Sequence, residues 1–187
     1  MHCRQWIKLW RLDSLKPFKL KRLAIILAIT ILSIPVFSQS DSEYYAMLAG
    51  IYKNTVPLIK TNDLKDLIES KKDIFLLDTR EPSEHKVSHL KNAIPVGYNT
   101  FKMKLLAGIP KDATIVVYCS VGYRSELIGE KLLKAGYQNT FNLYGGIFEW
   151  VNTSSQIVDL SDNLTSKIHP YDKEWGKWLK RGIKAYE

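Results

Sequence analysis

Cysteine is scarce in this 187-residue chain, with one residue at position 3 and another at position 119. That scarcity excludes a disulfide-dense scaffold. There are only four histidines, and no repeat or low-complexity stretch. A hydrophobic share of 45% excludes collagen-like sequence and wholesale disorder. Most of the chain also lacks an excess of either charge. The net charge is +8, yet residues 1–38 hold seven Lys and Arg against Asp13 alone, while residues 39–187 hold 20 basic and 18 acidic side chains. A near-balanced body argues against a basic nucleic-acid-binding domain.

The basic start belongs to a leader-like pattern. Positive residues end at Lys21-Arg22, an apolar run follows from Leu23 to Phe37, and Val36-Phe37-Ser38 precedes Gln39 as a small-residue cleavage site would. The run is 15 residues long, shorter than the roughly 20 that span a bilayer as a helix. Residues 1–38 are therefore expected to be a signal peptide cleaved after Ser38, giving an exported, periplasmic or secreted protein. The alternative is an uncleaved anchor through residues 23–37, which would then be the chain's only membrane contact.

Four regions are expected: the leader at 1–38, a helical extension at 39–55, a main domain at 56–152 and a C-terminal extension at 153–187. In the main domain, Ile74–Asp78, Thr114–Tyr118 and Thr140–Leu143 have the apolar or β-branched character of strands. Helices are expected over 61–72, with Leu64, Leu67 and Ile68 on one face behind a Thr61 or Asn62 cap, over 101–106, and over 125–135 with Gly136 as its stop. A preceding helix is expected over 41–53 and a last one around Trp175, Trp178 and Leu179, which would pack on the domain. This alternation predicts an α/β fold with a central, mostly parallel sheet flanked by helices.

In such sheets ligands gather at the carboxyl ends of the strands, and Cys119 ends a predicted strand. The sequence Cys119-Ser120-Val121-Gly122-Tyr123-Arg124 then leads to a helix expected to start at Ser125. Backbone amides of a short loop at a helix start form an anion cradle and favour a thiolate. Gly122 suits a tight turn, and Arg124 offers a fixed charge with planar donors. With the leader removed, Cys119 is the only thiol, and its surroundings point to a nucleophile acting on anionic substrates.

These residues resemble the rhodanese family. Leu77-Asp78-Thr79-Arg80-Glu81-Pro82 with Glu84, His89-Leu90-Lys91-Asn92-Ala93-Ile94-Pro95, Tyr118 to Arg124, and Tyr144-Gly145-Gly146 with Trp150 are similar to its four signatures, in its order. Ser88 and Asn92 stand where the family usually has Gly, and Asn tolerates the left-handed backbone. The resemblance implies a three-layer rhodanese-like domain and a thiosulfate or thiol sulfurtransferase. Cys119 would be nucleophile and persulfide carrier, and Arg124 would join it in catalysis. Ser120, Val121, Gly122, Tyr123 and Ser125 would bind substrate. It implies a small anionic sulfur donor, a thiol or cyanide acceptor or a redox partner protein, and neither cofactor nor nucleic acid. A carrier or protein-binding module without turnover is the alternative. A phosphatase or arsenate reductase fits less well: Tyr118 replaces the His expected before such a nucleophile, and Arg124 lies five positions after it rather than six.

Asp78, Arg80 and His89 are read as supports that tie loops to backbone. His85 and His89 lie four apart near Glu81 and Glu84, but Lys86, Val87 and Ser88 complete no metal motif. Gly145-Gly146 is either a close approach to the cysteine loop or a plain turn.

Overall fold

Five short runs pair into a sheet in the computed structural model of the chain, which describes residues 39–70 and 73–186. The leader expected at 1–38 lies outside the described residues. No helix among the described residues is long and apolar enough to cross a membrane. The described residues from 43 to 186 form one compact unit.

The sheet strands are β1 (Leu58–Ile59), β2 (Ile74–Asp78), β3 (Ile94–Pro95), β4 (Thr114–Tyr118) and β5 (Thr140–Leu143), in the order β1-β5-β4-β2-β3. Every pairing is parallel; Leu76 faces Val116 and Leu77 faces Val117 across the central pair. Parallel strands buried on both faces read as continuous apolar runs, and β2 and β4 do. Leu76, Val116 and Tyr118 join one apolar cluster with Tyr44, Leu48, Leu64 and Phe148. Their neighbours Leu77, Ile115 and Val117 join a second with Leu106, Ile128, Leu132 and Tyr137.

The first cluster is covered by α1 (Gln39–Ile51), α2 (Thr61–Glu69) and α5 (Gly146–Asn152), the second by a 3₁₀ turn at Met103–Leu106 and by α4 (Tyr123–Lys134). Between β2 and β3 lies α3 (Pro82–Val87). The result is helices on both sides of a central parallel sheet.

Several limits differ from the sequence reading. Helix α2 stops at Glu69, and Lys60, without a side-chain bond, occupies its cap position. Thr61 is instead buried, its hydroxyl unpartnered. Ile68 is 40% exposed, so α2 buries Leu64 rather than a wide stripe. Helix α4 begins at Tyr123, two residues early, because Gly122 (φ 100°) makes the turn. Tyr123 and Arg124 therefore sit on its first turn. In the C-terminal segment the expected helix is only α6 (Lys173–Gly176), accompanied by two-residue strands β6 (Ile157–Val158), β7 (Leu164–Thr165), β8 (Lys167–Ile168) and β9 (Ile183–Lys184).

Ile128 is fully buried under the second cluster. Ile128→Ala is expected to cost about 2–5 kcal/mol, seen in urea unfolding as a lower midpoint with an unchanged slope.

Candidate active site

Cys119 follows β4 and is a free, buried thiol, 1% exposed. The backbone N–H of Gly122 donates to its Sγ at 3.1 Å. A planar trans peptide places a carbonyl and the next residue's N–H on opposite sides, so the loop's carbonyl partners determine where its amides point. Four successive carbonyls are held from the protein side. Ile147 N–H donates to Cys119 O at 2.9 Å and Phe148 N–H to Ser120 O at 3.0 Å. The Tyr52 hydroxyl donates to Val121 O at 2.6 Å, and Asn142 Nδ2 donates to Gly122 O at 2.9 Å. The following amides, Ser120 to Tyr123, are thereby turned the other way. Gly122 N–H on Cys119 Sγ is the visible instance.

Two glycines permit this geometry. A Cβ on Gly122, already at φ 100°, would lie 2.1 Å from the Tyr52 hydroxyl oxygen. One on Gly146 would lie 2.3 Å from Cys119 O and 2.8 Å from the Ser120 carbonyl carbon. The Gly145-Gly146 turn thus does approach the cysteine loop, bringing the start of α5 against it.

Tyr52 stands just beyond α1, which the sequence reading treated only as an extension. Its hydroxyl also accepts from Gly145 N–H at 2.8 Å, and burial pushes its pKa well above the usual tyrosine range. It remains a donor to Val121 O. Glu126, buried in the first turn of α4, accepts from Lys53 and Thr55 N–H at 3.0 and 2.9 Å, fixing the segment that follows.

Arg124 lines the same cavity as Cys119 and is held by its neighbours. Its Nη1 and Nη2 donate to Glu84 Oε2 and Oε1 at 2.7 and 2.8 Å, and Nη2 also donates to Ser120 Oγ at 3.0 Å. It is a half-buried clamp paired with a carboxylate; burial alone would lower its pKa, but Glu84 and the charge of Cys119 raise it. Burial alone would raise the Glu84 pKa; the hydrogen bonds and charge of Arg124 outweigh it and hold the carboxyl below its usual range. The Ser125 hydroxyl donates to Asn142 Oδ1 at 2.7 Å inside the protein.

Cys119, Ser120, Val121, Tyr123 and Arg124 line a cavity of about 370 Å³. Glu81, Tyr98 and Asn99 also line it, as do Tyr171 and Trp175 of the C-terminal segment. Tyr171 lies over the Arg124 guanidinium, 4.7 Å from carbon to ring centre. Tyr52, Glu84, Asn142 and Tyr171 all escape sequence reading as parts of this site, although the Glu84 position within the first signature was a usable signal.

Asp78, Arg80 and His89 do not line the cavity. Arg80 Nη2 donates to Asp78 Oδ2 at 2.6 Å and to Ser88 O at 2.6 Å, with His85 Nδ1 2.8 Å and the Tyr118 hydroxyl 3.0 Å from the same Asp78 oxygen. Burial pushes the Asp78 carboxyl up, but Arg80, with His85, holds it well below the carboxylate range. His89 pairs by backbone with Val158 and stacks on His85 at 3.9 Å; burial and His85 push its pKa down. These groups tie β2, β4, α3 and β6 together. No group of three or more metal-binding side chains gathers among the described residues.

A buried thiol at the carboxyl end of a parallel strand, with a loop amide on its sulfur, defines a cysteine-loop α/β domain. Residues 60–153 match the family described as Rhodanese-like domain, and the chain belongs to that family. A tRNA uridine(34) hydroxylase of Hamiltonella defensa is 29% identical over 138 residues, covering 71% of this chain and 38% of that protein. One from Yersinia enterocolitica is 27% identical over 133 residues, covering 68% and 37%. The chain thus spans less than two fifths of the length of these curated relatives. Among solved structures, a thiosulfate sulfurtransferase of Pseudomonas aeruginosa superposes with a TM-score of 0.54 at 18% identity, covering 62% of this chain and 23% of that one. The rhodanese-like domain of an Anabaena protein gives 0.52 at 20% identity, covering 56% and 80%. Both likenesses concern the fold.

Two outcomes test the site's construction. Tyr52→Phe leaves two buried backbone groups without a partner and is expected to cost about 1–3 kcal/mol in chemical denaturation. For Glu84, a lowered native pKa means stability that is complete above the unfolded value of 4.5 and is lost as pH falls through the lower native value. Acid unfolding of Glu84→Gln should accordingly show a shallower loss of stability below pH 4.5 than the parent protein.

Proposed function

We propose that this chain is a sulfurtransferase in which Cys119 carries a sulfane sulfur as a persulfide. The observation that supports it is the Gly122 N–H on Cys119 Sγ at 3.1 Å, in a loop whose carbonyls are all tied away from the sulfur. Such preorganised donors stabilise negative charge without reorganising during the reaction. The Cys119 thiolate attacks the outer sulfur of the donor, a new S–S bond forms, and the donor's own bond to that sulfur breaks with its electron pair leaving on sulfite, for thiosulfate, or on a thiolate. Cyanide or an acceptor thiolate then attacks the terminal sulfur of the persulfide, and Cys119 departs as thiolate. Charge is conserved in both steps with thiolate and cyanide as reactants. In the Cys119–Arg124 loop the Gly122 amide meets the sulfur directly; Arg124 positions the loop through Glu84 and Ser120 and adds positive charge near Cys119.

A second reading comes from the relatives named tRNA uridine(34) hydroxylase. Their shared stretch is a minor part of those proteins, and residues 39–187 hold 20 basic against 18 acidic side chains. Nucleic-acid affinity rests chiefly on phosphate neutralisation, so the charge balance favours small sulfur compounds over tRNA.

The test is thiocyanate formation from thiosulfate and cyanide by the full chain. Cys119→Ser should lose about a thousandfold or more in rate, and intact-mass measurement of the parent protein after thiosulfate should show one added sulfur that the variant lacks. Equal rates in the two proteins would overturn the reading. An adduct without turnover would favour the carrier or binding module instead.

A further inference from the structure

The cavity over Cys119, about 370 Å³, falls among sites that hold organic ligands, roughly 300–1,000 Å³. It is large for a five-atom donor such as thiosulfate, given that one water occupies about 30 Å³ of liquid. Its charged lining consists of Glu81 and Arg124, and Arg124 is already occupied by Glu84 at 2.7 and 2.8 Å. Side-chain charge therefore gives a dianion no advantage here. What the cavity offers in quantity is aromatic surface, from Tyr98, Tyr123, Tyr171 and Trp175.

Two of these rings come from beyond the family region at 60–153, and both are held in place. Tyr171 has φ 67°, a conformation unusual for a bulky residue, with its N–H donating to His169 Nδ1 at 3.1 Å and its ring over Arg124. Trp175 is fixed by α6, where its N–H donates to the Asp172 cap at 2.8 Å. The segment is anchored further on by Asn152, which donates to Trp178 O and accepts from Lys180 N–H at 2.9 and 2.8 Å, and by fully buried Ile168. Backbone strain and anchoring together hold two rings at the cavity that Cys119 also lines.

We infer that Tyr171 and Trp175 form a specificity wall for the carbon body of an organic sulfane-sulfur donor, so that the preferred donor carries a flat apolar group rather than being thiosulfate. The inference rests on Cys119 being the sulfur carrier. For an organic thiosulfonate the step balances directly: the thiolate takes the outer sulfur, the S–S bond of the donor breaks, and its electron pair leaves on the sulfinate.

The experiment compares kcat/KM for benzenethiosulfonate and methanethiosulfonate, which share a reacting group and differ in body, with cyanide as acceptor and thiosulfate as a third donor. The full chain is expected to favour the benzene compound by about tenfold, the scale of a modest apolar contact. Tyr171→Ala and Trp175→Ala should each bring the ratio close to one, while Tyr171→Phe and Trp175→Phe, which keep a ring, should preserve most of it. Because the readout is a ratio within each protein, loss of folded material cancels. Equal use of both donors by the parent protein, or a preference that survives both alanine substitutions, overturns the wall. No thiocyanate from any of the three donors, with no sulfur adduct on Cys119, instead overturns the carrier reading and this inference with it.

Discussion

A peptide group cannot turn its carbonyl without turning the N–H that follows it, and the cysteine loop is built on that constraint. Each carbonyl from Cys119 to Gly122 is claimed by a donor elsewhere: two amides at the start of α5, the Tyr52 hydroxyl, and the Asn142 amide. The loop's amides are thus set by tertiary structure acting from behind. Gly146 makes this possible, since any side chain there would occupy the space of the Cys119 and Ser120 backbone.

Around that loop, charge is used mainly for fastening. Asp78 and Arg80 are both fully buried, and their pair gathers His85, Ser88 and Tyr118 at the carboxyl ends of β2 and β4. Glu84 and Arg124 then join α3 to the first turn of α4 through Ser120. A buried ion pair seldom adds much net stability over apolar packing, but breaking it leaves an uncompensated charge. Such pairs hold their geometry strongly, and here the geometry is that of the ground on which the sulfur sits.

The parts legible in the sequence are those whose signal is local. The limits of β2, β4 and β5 coincide with apolar runs because strands buried on both faces need no partner information to be seen. Helix α4 starts two residues before the sequence signal because its cap is a left-handed Gly122, while Ser125, which looks like a start signal, is bonded internally to Asn142. Arg124 was legible as a member of the loop and illegible as a clamp, since its partner lies 40 positions away. Tyr52 acts across 69 positions and Asn142 across 20, distances at which no periodicity or motif carries information. The two-residue strands of the C-terminal segment are too short to show a period at all.

Tyr52 precedes the family region, and Tyr171 and Trp175 follow it. The family region and the stretch that completes the site therefore have different lengths. A border drawn by resemblance keeps the thiol but discards the hydroxyl that orients the Val121–Gly122 peptide and the rings that shape the space above it. In this protein the flanks finish what the family region begins, one bracing the cysteine loop from behind and the other bounding the space in front of it.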